Sequence, residues 1–255
     1  MSKVLENELV KAFKGKASFS REELYAFYRF FEPELNEGTF GWRIYNLKAR
    51  NIIKPLKRGV YALSSKPIYT PQASPRMLKL AKHLSAHFTG IKHCIWEATW
   101  LNEFSKHQTS KSTLFIEVEK GFEETVFYAL KDASYRDVFL NPDQTVIDLY
   151  VAESVQPIII KKLLTRAPLL KRTANKVNFF TPSLEKILVD VYADERLFHY
   201  LQGGELIQVF ETALRNYSIN FTTLFGYAKR RELDQTIQQF MNNHLAHLVK
   251  GHSND

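Results

Sequence analysis

The chain has 255 residues, 45% of them apolar and 24% charged, with a formal net charge of +8. That length suits one large domain or two modest ones, and the composition excludes a disordered or collagen-like chain. A single cysteine excludes an internal disulfide and every cysteine-cluster metal site. No apolar run reaches the length of a spanning helix, so no membrane partner is expected. The opening MSKVLENELVKAF lacks a signal peptide's apolar segment, and a cytoplasmic protein is expected.

Val4, Leu5, Leu9 and Phe13 recur near every 3.6 residues and predict a helix from Lys3 to Phe13. Ser20 and Glu23 have capping-box spacing and open a second helix, with Leu24, Phe27, Tyr28 and Phe31 inward and Pro33 as its stop. A third helix is expected from Thr39, as N-cap, to about Arg50. Phe40, Ile44 and Leu47 would face inward, and Thr39, Arg43, Asn46 and Arg50 would form a polar edge. Two short strands follow, one running from Ile52 toward Lys57 and the other over Val60–Leu63, joined through Lys57, Arg58 and Gly59. Three helices and a basic hairpin are the outline of a winged helix-turn-helix.

Residues 64–75, SSKPIYTPQASP, hold three prolines and read as a linker. The expected domains are therefore 1–66, a winged-helix DNA-binding domain, 67–75, a linker, and 76–255, a larger mixed domain. In that domain a helix is predicted over 75–87, then a strand running into a helix at Trp96–Phe104. Alternation at Leu114, Ile116 and Val118, and again at Val126 and Tyr128, predicts two strands around Gly121. Thr145–Tyr150 and Pro157–Ile160 are further strand candidates, although Asp148–Glu153 also fits a helix. Thr181 as N-cap and Pro182 in the first turn would open a helix buried through Leu184, Ile187, Leu188 and Val191. More helices are expected near 204–216, 220–229 and 232–248. The fold class is α/β or α+β, an N-terminal winged helix-turn-helix before a mixed domain with a central sheet and C-terminal helices.

Charge is distributed unevenly. Residues 1–66 carry 13 Lys/Arg against 7 Asp/Glu, whereas residues 113–255 carry 16 against 18. From Gly38 to Trp96 there are 11 basic residues and no carboxylate. Such a stretch is a credible footprint for a polyanion. In a winged helix the third helix enters the major groove and the hairpin lies along the backbone. Arg43 and Arg50 could grip guanine or phosphate, and Asn46 could pair with adenine. Thr39 lies where helix amides meet phosphate. With Lys48 on the helix and Lys57 and Arg58 on the wing, these are the candidate DNA-binding residues. The competing readings are an ordinary solvated helix face and a winged helix that binds only protein.

Catalytic signals are sparse. Glu117-Val118-Glu119-Lys120 invites comparison with a metal-dependent nuclease, but Lys120 alternates away from Glu119, and two solvated glutamates on a sheet edge explain the pattern as well. His83 and His87 lack a third ligand at metal-site spacing. Cys94 reads as a small core residue. Neither a catalytic set, a metal site nor a cofactor is expected.

Two segments carry a family resemblance. GTFGWRIYNLKARNIIKPLKRGVYAL, with Arg58-Gly59-Val60-Tyr61-Ala62-Leu63, resembles the N-terminal winged helix of AbiEi-type antitoxins of type IV toxin-antitoxin systems. FFTPSLEKILVDVYAD resembles a late segment of the same family, at Thr181, Pro182, Glu185, Leu188 and Asp190. The resemblance implies a non-enzymatic, DNA-binding transcriptional autorepressor. It would bind double-stranded operator DNA and neutralise a nucleotidyltransferase-like toxin in phage defence. The alternatives are a metal-dependent nuclease of a defence system and a solitary DNA-binding adaptor without a toxin. Glu185 and the Lys186–Asp190 pair, four residues apart, are read as structural.

Overall fold

The computed structural model describes residues 3–16, 18–50, 52–64 and 66–249. They form two compact units in a mixed α+β architecture. One runs through Ile68 and includes Asn216–Asn220, and the other comprises Tyr69–Arg215 and Phe221–Leu248.

The first unit contains α1 (Lys3–Phe13), β1 (Phe19–Ser20), α2 (Arg21–Phe31), α3 (Glu37–Ala49), β2 (Ile53–Lys57) and β3 (Val60–Leu63). Its strands are ordered β1-β3-β2, all antiparallel. The capping box forms as expected. Ser20 Oγ accepts from the Glu23 amide and Glu23 accepts from the Ser20 amide. Pro55, which cannot donate to a ladder, sits on the edge strand β2. The turn after β2 needs a left-handed residue, and Gly59 supplies it at φ +74° without a Cβ penalty. Leu9, Phe13, Phe19, Leu24, Tyr28, Phe40, Ile44, Leu47, Ile53 and Tyr61 meet in one core. Asn216–Asn220 joins this unit where the Ser218 amide donates to the Pro67 carbonyl at 2.9 Å. The N-cap of α3 is Asn36, whose side chain accepts from the Thr39 amide. Thr39 is therefore a third-position residue of that helix and does not cap it.

The second unit begins with α4 (Pro75–His87) and β4 (His93–Glu97), followed by a tight helical turn, Ala98–Glu103. Next come β5 (Leu114–Glu119), α5 (Glu123–Asp132), β6 (Val138–Leu140), α6 (Gln144–Val146), a π-helical turn over Ile147–Val151, and β7 (Ile158–Leu163). The sheet order is β4-β5-β7-β6. β5, β7 and β6 are mutually parallel and β4 is antiparallel to β5. A hairpin of β8 (Leu169–Ala174) and β9 (Val177–Pro182) precedes four helices: α7 (Leu184–Ala193), α8 (Gly204–Asn216), α9 (Phe221–Arg230) and α10 (Asp234–Val249).

Three expectations are corrected here. Residues 126–129 belong to α5, with Val126 and Leu130, four apart, buried and Tyr128 outward. The physical reason is topological, since a parallel neighbour cannot be reached through a tight hairpin and needs a crossover. Residues 145–150 are likewise helical. Asp143 caps the segment and Ile147 and Val151 are its buried pair. Thr181 and Pro182 end strand β9, where Pro182 pairs with Leu169, and the cap of α7 is Ser183. Among the described residues no helix is long and apolar enough to cross a membrane.

Candidate functional site

Helix α3 is oriented by Phe40, Ile44 and Leu47, which are all buried. At 100° per residue the opposite side is the line Gly38, Trp42, Tyr45 and Ala49, and all four are exposed. The outward centre is thus aromatic and small. The line Thr39, Arg43, Asn46 and Arg50 lies on one flank. Thr39 is exposed, Asn46 half-buried, and Lys48 half-buried on the other flank.

The two arginines of that flank are both paired within the unit, Arg43 nearly enclosed and Arg50 with about half of its side chain still exposed. Arg43 donates to Glu32 at 2.7 Å, stacks its guanidinium 5.0 Å from the Tyr28 ring centre, and leaves only 13% of its side chain exposed. Burial pushes the Tyr28 hydroxyl up to about 12, with Arg43 opposing the shift. Arg50 makes a two-point ion pair with Glu6 of α1, one contact being 2.7 Å. The signal that could have found this was present in the sequence. Glu6 and Glu32 lie before the acid-free stretch, on helices that must pack against the third.

What remains of the basic surface lies beside the aromatic face and on the hairpin. Among the described residues Lys48, Lys54 and Arg58 have no carboxylate partner, and Lys54 and Arg58 are exposed. The Lys57 side chain lies outside the described residues. From Gly38 to Ile68 this unit carries no acidic residue at all.

The second unit contains a buried charge cluster. Glu117 is on β5, an interior strand, and is buried, so the expectation of a solvated sheet edge does not hold for it. Both its carboxylate oxygens accept from Lys186 Nζ, at 2.6 and 2.7 Å, and Trp96 Nε1 donates to it at 3.2 Å. The same Lys186 ammonium donates to Asp190, one turn along α7. Asp190 also accepts from Tyr227 of α9 at 2.9 Å and from Arg231. Nearby Lys161 of β7 pairs with Asp194.

Burial alone would lower the Lys186 ammonium, but Asp190 and Glu117 outweigh it and hold its pKa well above the ordinary lysine value. Burial likewise works against the Asp190 carboxylate, yet Lys186, Arg231 and Lys161 keep its pKa below normal. All three ammonium protons are committed and Lys186 is fully enclosed. It therefore cannot serve as a base or nucleophile toward a bound molecule. The cluster ties β5, α7 and α9 together. Cys94, adjacent on β4, is buried, and burial raises its thiol well above the usual value. His83 and His87 stack on each other at 4.2 Å. Among the described residues no three His, Cys, Asp or Glu side chains are grouped to hold a metal ion.

Outside the sheet, an open cleft of about 550 Å³ runs beside the edge strand β6 and the π-helical turn. Val138, Phe139, Leu149, Tyr150 and Val155 line it together with Lys131, Asp137, Glu153 and Ser154, and Leu149, Tyr150 and Val155 are well exposed.

The sequence profile of DUF6577, described as a family of unknown function, matches residues 39–247, well over half of the chain. The match begins inside α3 and extends into α10. The chain belongs to that family. A comparison with curated proteins found no match.

Proposed function

Starting from membership of that family, we propose that the first unit is a winged-helix module that binds double-stranded DNA. Helix α3 enters the major groove and the β2–β3 hairpin lies on the backbone. The observation that carries this reading is the acid-free segment from Gly38 through β3, on which Lys48, Lys54 and Arg58 have no carboxylate partner among the described residues, while Glu37, which opens α3, is paired with Arg21. A phosphate backbone would supply that missing counter-charge. The module then acts as a cytoplasmic repressor by occupying operator DNA, with no catalytic step of its own.

Duplex titrations at several salt concentrations test it. Affinity is expected to fall steeply with salt, and Lys54→Ala/Arg58→Ala should lower the slope of log K against log salt by about 2. A slope equal to that of the unaltered chain would remove the hairpin from the interface, and the absence of any duplex binding would remove the function.

The likeness to AbiEi-type antitoxins adds a protein partner, a nucleotidyltransferase-like toxin. The cleft beside β6 supports a place for it, since Leu149, Tyr150 and Val155 present apolar surface there. Coexpression with such a toxin encoded beside this gene is the test. Rescue should be lost in Leu149→Asp/Val155→Asp, and rescue by that variant would exclude the cleft.

A further inference from the structure

The outward side of α3 poses a chemical question that its arginines do not answer. Readout of guanine is most often made by an arginine fork or a lysine ammonium reaching O6 and N7 from the groove-facing side. Arg43 is held by Glu32 and Tyr28, and Arg50 by Glu6. The centre presents instead two aromatic rings, Trp42 at 60% and Tyr45 at 64% exposure. Gly38, Gly41 and Ala49 surround them, so no longer side chain on that side stands in front of the rings.

Resting on the duplex-binding reading, we propose that Trp42 and Tyr45 are the specificity-determining residues of this module. They select DNA by apolar contact with thymine methyl groups in the major groove. The thymine 5-methyl is the one apolar group that a base pair displays there. A helix whose leading side chains are flat rings is matched to it, and is poorly matched to the oxygen and nitrogen acceptors of guanine. The indole N–H and the phenol O–H each leave one donor at the rim for a phosphate, so the ring faces rather than these donors carry the selection. Asn46, half-buried one step round the helix, is placed for an adjacent adenine.

The occupant is argued from charge. An exposed Trp–Tyr pair would also suit a protein hot spot. Here, however, the pair is flanked by Lys48, and no carboxylate occurs from Gly38 to Ile68. A polyanion with apolar groups in a helix-wide groove satisfies both features, and duplex DNA has that chemistry.

The test uses the full chain and a randomised duplex pool. Duplexes enriched by binding are resynthesised with deoxyuridine in place of thymidine, which removes only the methyl groups. Trp96 and Trp100 are buried, so protection of tryptophan emission from acrylamide on binding reports on Trp42. The enriched duplexes should be thymine-bearing, and acrylamide protection should appear with them. Each buried methyl removed should weaken binding by about fourfold. Trp42→Ala and Tyr45→Ala should each shrink the thymine–uracil difference and leave salt-dependent binding to random duplex largely intact. Both side chains are exposed, and circular dichroism checks that the variants fold.

Salt-sensitive binding with equal affinity for thymine and uracil duplexes would overturn the inference while leaving the duplex-binding reading standing. Retention of the full thymine–uracil difference in both variants would also overturn it. Failure to bind any duplex would overturn both, and would mark the Trp42–Tyr45 face as a protein contact.

Discussion

Lys186 and Arg43 show how far a side chain's role depends on what it touches. The Lys186–Asp190 spacing was visible as an ordinary helical ion pair, but Glu117, 69 residues away, turns it into a buried cluster. Removing one partner of such a cluster strands the others in low dielectric. Lys186→Met is expected to destabilise the second unit by about 3–5 kcal/mol, read by denaturant unfolding. A loss below 1 kcal/mol would mean that water reaches the cluster. Arg43→Ala removes a stack on Tyr28 and a bond to a half-exposed glutamate. It should cost the first unit about 1 kcal/mol and leave the ratio of affinities for selected and random duplexes unchanged. Preferential loss on the selected duplex would show that Arg43 swings out to read a base.

At the scale of elements, local signals were readable wherever the cause was local. Ser20 with Glu23, the helix starting at Pro75, and Gly59 in the hairpin turn act through neighbouring backbone, and each appears as expected. Two substitutions measure them. Ser20→Ala should cost about 1 kcal/mol through the lost cap. Gly59→Ala should cost about 1 kcal/mol because its φ of +74° places a Cβ in the disfavoured left-handed region. Urea unfolding reads both, and Gly59→Asn should cost less than alanine because asparagine tolerates that region. Segments 123–132 and 144–151 hold short apolar runs that fit either period, and in the second a helix is as open as a strand. The choice between helix and strand was made by the parallel neighbours that flank them. The β8–β9 hairpin escaped notice for a related reason. Its burial alternates, with Phe179 and Thr181 inward, but the residue types of LLKRTA and VNFFTP do not alternate apolar with polar.

For the whole molecule, acid stability follows from the buried cluster. Asp190 has a folded pKa below its ordinary 3.8, so the stability it adds is complete above that value and is lost as pH falls below it. Lys186 has a folded pKa above its ordinary 10.5, so its contribution persists below that value and is lost only as pH rises through the higher folded one. The melting temperature of Asp190→Asn should therefore lie below that of the unaltered chain at neutral pH, with the gap narrowing below about pH 4. A gap independent of pH would show that the carboxylate charge is not what matters. The division between units also has a consequence. Tyr69 is buried and donates to the Trp100 carbonyl, Pro71 accepts from Arg172, and Gln72 accepts from Trp100. The later part of the proline-rich segment thus packs within the second unit. A fragment starting at Tyr69 should fold and melt several degrees above one starting at Pro75, as followed by circular dichroism; equal melting would mean that these contacts contribute nothing.

The sequence alone determined the helix periods of the first unit, the cap of α2 and the hairpin turn, the acid-free stretch and the helices that follow residue 183. Each of these is set by neighbours a few residues apart, or by composition. Only the tertiary structure decided which basic residues stay open to a partner, because ion pairing with Glu6 and Glu32 depends on helix packing. It also decided that Trp42 and Tyr45 face outward at the centre of α3 and that Glu117 is buried against Lys186. These outcomes depend on contacts between segments distant along the chain, and a hydrophobic period carries no record of them.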